Sequence, residues 1–155
     1  MTAQTLEAPQ RSPAELAWIR LMRVYLQMDR HTAEIMKKYG LSVSRFDVLV
    51  HAGVREGRTQ QELADAMFVT KGNITQLLDG MESDGLLYRR RRGRTNLIYL
   101  TVKGEECRKA TMADQIDAIE TMFSVLSCDE REQLGKMLRK VDRHLGSESI
   151  WKEEK

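Results

Sequence analysis

The sequence predicts a mainly α-helical protein carrying one small β-hairpin. Three observations lead there. Apolar residues recur at helical spacing over most of the 155 residues. Helix-starting capping boxes stand at Ser12, Thr59 and Ser127. The period shortens to about two only around an arginine-rich stretch, "LLYRRRRGRTNLIYL". The two prolines, Pro9 and Pro13, both lie at the N-terminus, so none interrupts the later pattern.

Residues 1–11 are polar and are expected to form a flexible N-terminal segment. In "SPAE", Ser12 can cap, Pro13 takes the first helical position and Glu15 completes the box. Trp18, Leu21, Met22, Tyr25 and Leu26 then keep i, i+3, i+4, i+7, i+8 spacing. A long amphipathic helix is expected, ending near "KKYG", where two lysines suit the negative helix end and Gly40 the exit. A second helix starts near Val43, with Phe46, Leu49, Val50 and Gly53 on one face, and "REGRT" breaks it. The box at Thr59 opens a short helix through Leu63, Ala64 and Met67. "FVTKGN" is a tight turn, and the next helix carries Ile74, Leu77, Leu78 and Met81 before stopping at "SDG", with Gly85 beyond its end. A hairpin follows, with Gly93 where a turn needs positive φ. Thr101 can cap a long helix containing Ile116, Ile119 and Phe123. Ser127 opens the last helix, with Leu134, Met137, Leu138, Val141 and Leu145, closed by Gly146; residues 147–155 form a polar C-terminal tail.

Hydrophobic residues at 41% and charged residues at 31% fit a globular chain and exclude a disordered one. The net charge is +2, and removing the five arginines between Arg89 and Arg94 leaves −3, so the positive charge is local. The first residues lack a signal-peptide pattern, and no apolar run approaches the roughly 20 residues a membrane helix needs. Cys107 and Cys128 are too few for a disulfide scaffold, and a reducing cytoplasm is expected. No Gly-rich phosphate loop, nucleophile elbow or pair of catalytic carboxylates appears, so an enzyme is not expected.

Two short helices joined by a tight turn and followed by a hairpin make a winged helix-turn-helix, with the hairpin as wing. On "LSVSRFDVLV", "TQQELADAMFVTKGNITQLLDGMESDGLLYRR" and "IYLTVKGEE", the chain resembles the MarR (multiple antibiotic resistance regulator) family of bacterial regulators. The resemblance covers roughly residues 41–106. It implies a winged helix-turn-helix DNA-binding core at 41–101, and a helical dimerisation region at 12–40 and 102–146 in which two chains interlock. It also implies that the helix from about Thr70 enters the major groove of double-stranded DNA while the wing reaches the adjacent minor groove. Family wings usually carry an aspartate two residues before the arginine that Arg94 matches; here that position is Arg92. Exchanging a negative for a positive charge near phosphates predicts tighter, more salt-sensitive and less shape-selective binding.

Residue chemistry agrees with that assignment. The apolar stripe of the recognition helix leaves Lys71, Asn73, Thr75 and Gln76 for the groove, where amides can contact adenine bidentately. Thr70 can hold a phosphate with its hydroxyl and amide. Strand alternation separates the arginines: Arg92 and Arg94 are assigned to the minor groove, and Arg89 and Arg91 to phosphates or to bracing the wing. The stripes of residues 13–38 and 129–145 are read as homodimer surfaces, although such stripes also form monomer cores.

Many family members bind small phenolic or lipophilic effectors between the first, second and fifth helices. Trp18, Met22, Tyr25, Phe46, His51 and Met112 are the matching candidates, with plain core as the competing reading. Asp47 could pair with a wing arginine, and some urate-responsive relatives carry an acid nearby. No cofactor or metal is expected, because His31 and Glu34 alone do not make a metal site. A redox-responsive regulator is an alternative, but related sensors keep their cysteine near the start of the first helix, where this chain has none. A winged-helix module that binds protein is the other. The leading expectation is a ligand-released repressor on a pseudo-palindromic operator.

Overall fold

The computed structural model describes residues 11–53 and 56–147. The expected N-terminal segment, except Arg11, and the expected tail, except Ser147, lie outside the described residues. The chain divides into two compact units, Met1–Gln115 and Ile116–Lys155, and each is described by itself.

Six helices and three strands run in the order α1 (Pro13–Lys37), α2 (Val43–Ala52), β1 (Arg58–Thr59), α3 (Gln60–Ala66), α4 (Lys71–Ser83), β2 (Leu87–Arg92), β3 (Thr95–Leu100), α5 (Val102–Met122) and α6 (Cys128–Ser147). The caps explain most of the boundaries. The Ser12 hydroxyl accepts from the Glu15 amide at 3.2 Å while the Glu15 carboxylate accepts from the Ser12 amide at 2.7 Å. Thr59 with Glu62 and Ser127 with Glu130 repeat the box, and in both the capped backbone amide holds the glutamate below its usual pKa. At the end of α4, Gly85 adopts φ +71° and lets the Leu86 amide reach back to the Met81 carbonyl at 3.0 Å. The Thr101 hydroxyl caps α5 by accepting from the Gly104 amide at 3.0 Å.

The core of the first unit is Val48, Leu49 and Ala52 of α2, Leu63 and Ala64 of α3, Ile74, Leu78 and Met81 of α4, with Leu86, Leu87 and Ile98. The face of α2 differs from expectation. Val48 and Ala52 are buried, because α2 packs on α1, α3, α4 and β3 and so is covered on more than one side. Two further differences are small. β1 joins the hairpin to give the antiparallel order β1-β3-β2, and a two-residue strand is too short to display a period. The last helix runs through Gly146 to Ser147.

Gly104 marks a close approach of α5 to the wing. A Cβ there would lie 1.9 Å from the Leu86 carbonyl oxygen, a backbone atom that cannot swing aside. Gly104→Ala is expected to cost about 1–3 kcal/mol or more, read as a lower unfolding midpoint in thermal or urea denaturation. An unchanged midpoint would contradict this packing.

Candidate nucleic-acid interface

α4 is amphipathic along its whole length. Ile74, Leu78 and Met81 are buried, while Lys71, Asn73, Gln76 and Asp79 are exposed. Its N-cap, Thr70, is exposed and accepts from the Asn73 amide at 3.3 Å, which leaves the hydroxyl hydrogen available to an incoming oxygen. The preceding turn is closed by the Val69 amide on the Ala64 carbonyl at 3.0 Å. Phe68, 95% exposed, takes φ +54° there, a left-handed conformation costing a non-glycine residue about 1–2 kcal/mol.

Thr75 behaves differently from its neighbours. Its hydroxyl donates to the Lys71 carbonyl at 2.8 Å and accepts from the Gln60 amide of α3. Thr75, assigned to the groove with Asn73 and Gln76, is half-buried and its hydroxyl is already engaged between the two helices.

In the wing, Arg92 pairs with Thr95, leaving Gly93 and Arg94 as a two-residue turn. Gly93 has φ +63° and Arg94 does not have positive φ, the pattern of a type II′ hairpin turn. At the hairpin's root, Tyr88 stacks on Tyr99 with centroids 5.6 Å apart, and the Tyr99 hydroxyl donates to the Glu56 carbonyl at 3.1 Å.

The arginines divide by strand face. Arg89, only 22% exposed at its side chain, reaches α4: one guanidinium nitrogen contacts Asp79 at 2.6 Å and the other the Glu82 carboxylate. The Arg89 backbone amide adds a bond to Glu82 at 3.0 Å. Burial works to lower the Arg89 pKa, and the Asp79 and Glu82 carboxylates together outweigh it and raise the pKa. Of the two roles expected for Arg89, bracing is the one this geometry supports, and a phosphate contact would have to compete with two carboxylates. Arg91 turns its Nε toward the Gly93 carbonyl at 3.2 Å, which stiffens the tip. Among the described residues, no carboxylate pairs with Arg90, Arg92 or Arg94, all of them exposed.

The brace also shapes the charge on α4. Asp79 and Glu82 would repel phosphates near the helix's C-terminal half, and Arg89 offsets them. The uncompensated positive groups are therefore Lys71 at one end of the interface and the wing tip at the other. A second ion pair, Arg45 to Asp84 at 2.6 Å, ties α2 to the C-cap of α4, and Lys103 of α5 donates to the Asp84 carbonyl at 2.8 Å. Sequence reading missed Gln60, Asp79, Glu82, Arg45 and Asp84. Asp79 and Glu82 at i, i+3 were the available signal, since that spacing sets two carboxylates on one helix side.

Residues 39–95 match the sequence pattern of the MarR family. An HTH-type transcriptional regulator of Bacillus cereus is 32% identical over 130 residues, covering 83% of this chain and 88% of the relative. The chain belongs to the MarR family. It is a DNA-binding transcription regulator and not an enzyme. Among solved structures, the MarR-family regulator AbsC from Streptomyces coelicolor aligns over 91% of this chain and all of its own, at TM-score 0.80 and 20% identity, which supports the fold. A MarR variant from E. coli, solved with operator DNA, aligns at TM-score 0.71 and 26% identity over 79% of this chain and 91% of that one.

The effector candidates occupy several places in the first unit. Trp18 and Met22 line an open groove made of α1 residues alone. Tyr25 is also exposed, Phe46 is buried, and the Met112 sulfur accepts from Arg108 at 3.0 Å. Among the described residues Asp47 forms no ion pair with a wing arginine, the pairing its charge allowed; the charged groups acting on it are His51 and Asp29. No helix among the described residues is long and apolar enough to cross a membrane.

Two outcomes are expected here. Removing one end of the brace by Glu82→Gln should speed hydrogen exchange of the wing amides by several-fold, with a small loss of stability because exposed pairs contribute about 0.2–1 kcal/mol. Unchanged wing exchange would mean the bridge does not hold the wing. Half-burial raises the Asp47 pKa above its ordinary 3.8, with Asp29 adding and His51 opposing. The folded chain then binds the Asp47 proton more tightly than the unfolded chain, so stability falls as pH rises from about 4 through the raised value. Asp47→Asn should melt above the unsubstituted protein at pH 7, and the gap should shrink as the pH approaches 4.

Proposed function

We propose that the chain is a homodimeric repressor acting on a pseudo-palindromic operator, and that a small aromatic or lipophilic effector releases it. The observation that carries the DNA-reading part is a braced two-part surface. Lys71, Asn73 and Gln76 are exposed on α4, while Arg90, Arg92 and Arg94 extend unpaired from a wing tied to that helix through Arg89. In this reading Asn73 and Gln76 contact base edges, Thr70 and Lys71 hold phosphates, and Arg92 and Arg94 enter the flanking minor groove.

Dimerisation is supported by apolar surface that single chains rarely expose. In the first unit, Trp18 is 62%, Tyr25 56% and Leu26 53% exposed on α1. In the second, Met137, Leu138, Val141 and Leu145 of α6 are exposed too. A twofold dimer would present two recognition helices about 34 Å apart, one helical turn of DNA.

The effector reading draws support from a polar seam between α1 and the part of α5 within the first unit. Gln115 donates to Thr32 at 3.0 Å, and its side-chain oxygen is buried without a partner. Turning the amide over exchanges the atoms and still leaves a buried one unpaired. A ligand hydroxyl could satisfy either, which suits a phenol. An effector that favours one helix spacing would penalise the geometry that fits DNA.

Fluorescence anisotropy of the full chain on a duplex selected from a randomised pool tests the DNA reading. Specific binding should weaken steeply with salt, and Arg92→Ala with Arg94→Ala should lower the magnitude of the log–log salt slope by about 2. A slope unchanged by the double substitution would exclude the wing from the contact. Sedimentation should give about twice the 17.9 kDa chain mass; a monomer at micromolar concentration would remove the operator-symmetry argument.

A further inference from the structure

We infer that Gln60, at the first position of α3, is a positioning residue for base reading: its amide locks the rotation of the recognition helix through Thr75. This rests on α4 being the DNA-reading element. Gln60 Nε2 donates to Thr75 Oγ1, and Thr75 Oγ1 donates onward to the Lys71 carbonyl at 2.8 Å. The two side chains are 15 residues apart in sequence, so the bond joins separate helices. Both are half-buried, and Thr75 lies between Asn73 and Gln76, whose side chains are exposed.

Leu63 and Ala64 of α3 share one apolar core with Ile74 and Leu78 of α4. Such packing sets helix separation firmly, but the hydrophobic effect has no direction. A hydrogen bond does, weakening steeply when its angle or distance drifts. Turning α4 by about 10° carries a side-chain tip 5–6 Å from its axis through about 1 Å. That displacement is enough to break a base-edge bond at Asn73 or Gln76 while leaving the core packed. The donor chain from Gln60 through Thr75 to Lys71 therefore controls the angle at which the amides meet a base pair. Non-specific attraction to phosphates, being long-ranged, does not depend on that angle.

A double-substitution cycle on the full chain tests this. Gln60→Ala, Thr75→Val and the double variant are compared on the duplex selected by the unsubstituted protein and on a random duplex, with thermal unfolding measured alongside. Gln60→Ala is expected to lower selected-duplex affinity about tenfold, leave random-duplex affinity within twofold, and move the unfolding midpoint by about 4 °C or less. The double variant should be no weaker than the weaker single variant, because either change breaks the same link. The inference is overturned by any of three results: a Gln60→Ala affinity within twofold on the selected duplex, an equal loss on both duplexes, or losses that multiply in the double variant. If the unsubstituted chain itself fails to prefer any duplex, the DNA-reading function falls first and takes this role with it.

Discussion

Arg89 leaves the wing and ends on Asp79 and Glu82, joining the wing to α4, the two parts of the surface proposed to face DNA. A two-stranded ribbon projecting from a small core has little of its own to hold it. Its root is fixed by Leu87 and Ile98 in the core and by the tyrosine stack, and this bridge ties it to α4. The helix and the wing tip proposed to meet the two grooves are therefore tied together in the free chain. Less ordering is then left to be done on binding.

The same arrangement accounts for how charge is spent. Five arginines in six positions look interchangeable in composition, yet they occupy three environments. Arg89 is held by carboxylates, Arg91 bends back to the Gly93 carbonyl, and Arg90, Arg92 and Arg94 remain unpaired. The expected departure at Arg92 gains a structural context here. With no aspartate at that position, the carboxylates that hold the wing, Asp79 and Glu82, meet it near its root. The tip is free to carry positive charge.

Around α4, the directional links are arranged at both ends. Gln60 and Thr75 join it to α3 near its start, while Arg45, Lys103 and the Thr101 hydroxyl meet the Asp84–Gly85 exit. Apolar contacts in between supply most of the stabilisation, and these polar ties supply orientation. α5 supplies two contacts next to this exit, Lys103 on the Asp84 carbonyl and the close approach of Gly104 to Leu86.

The order and kind of the elements were legible in the sequence because they depend on local physics. Capping boxes at Ser12, Thr59 and Ser127, the left-handed glycines Gly85 and Gly93, and the change of period at the arginines each act within a few residues. The exposure of Lys71, Asn73 and Gln76 on α4 followed from the same periodicity. Tertiary structure alone decided which arginine is a brace, that Thr75 answers to Gln60, that α2 buries Val48 and Ala52, and that Asp47 does not meet the wing. Each of those outcomes depends on side chains from segments far apart in sequence meeting, or failing to meet, in space. Local spacing carries no information about such partners, because they become neighbours only once the core has packed.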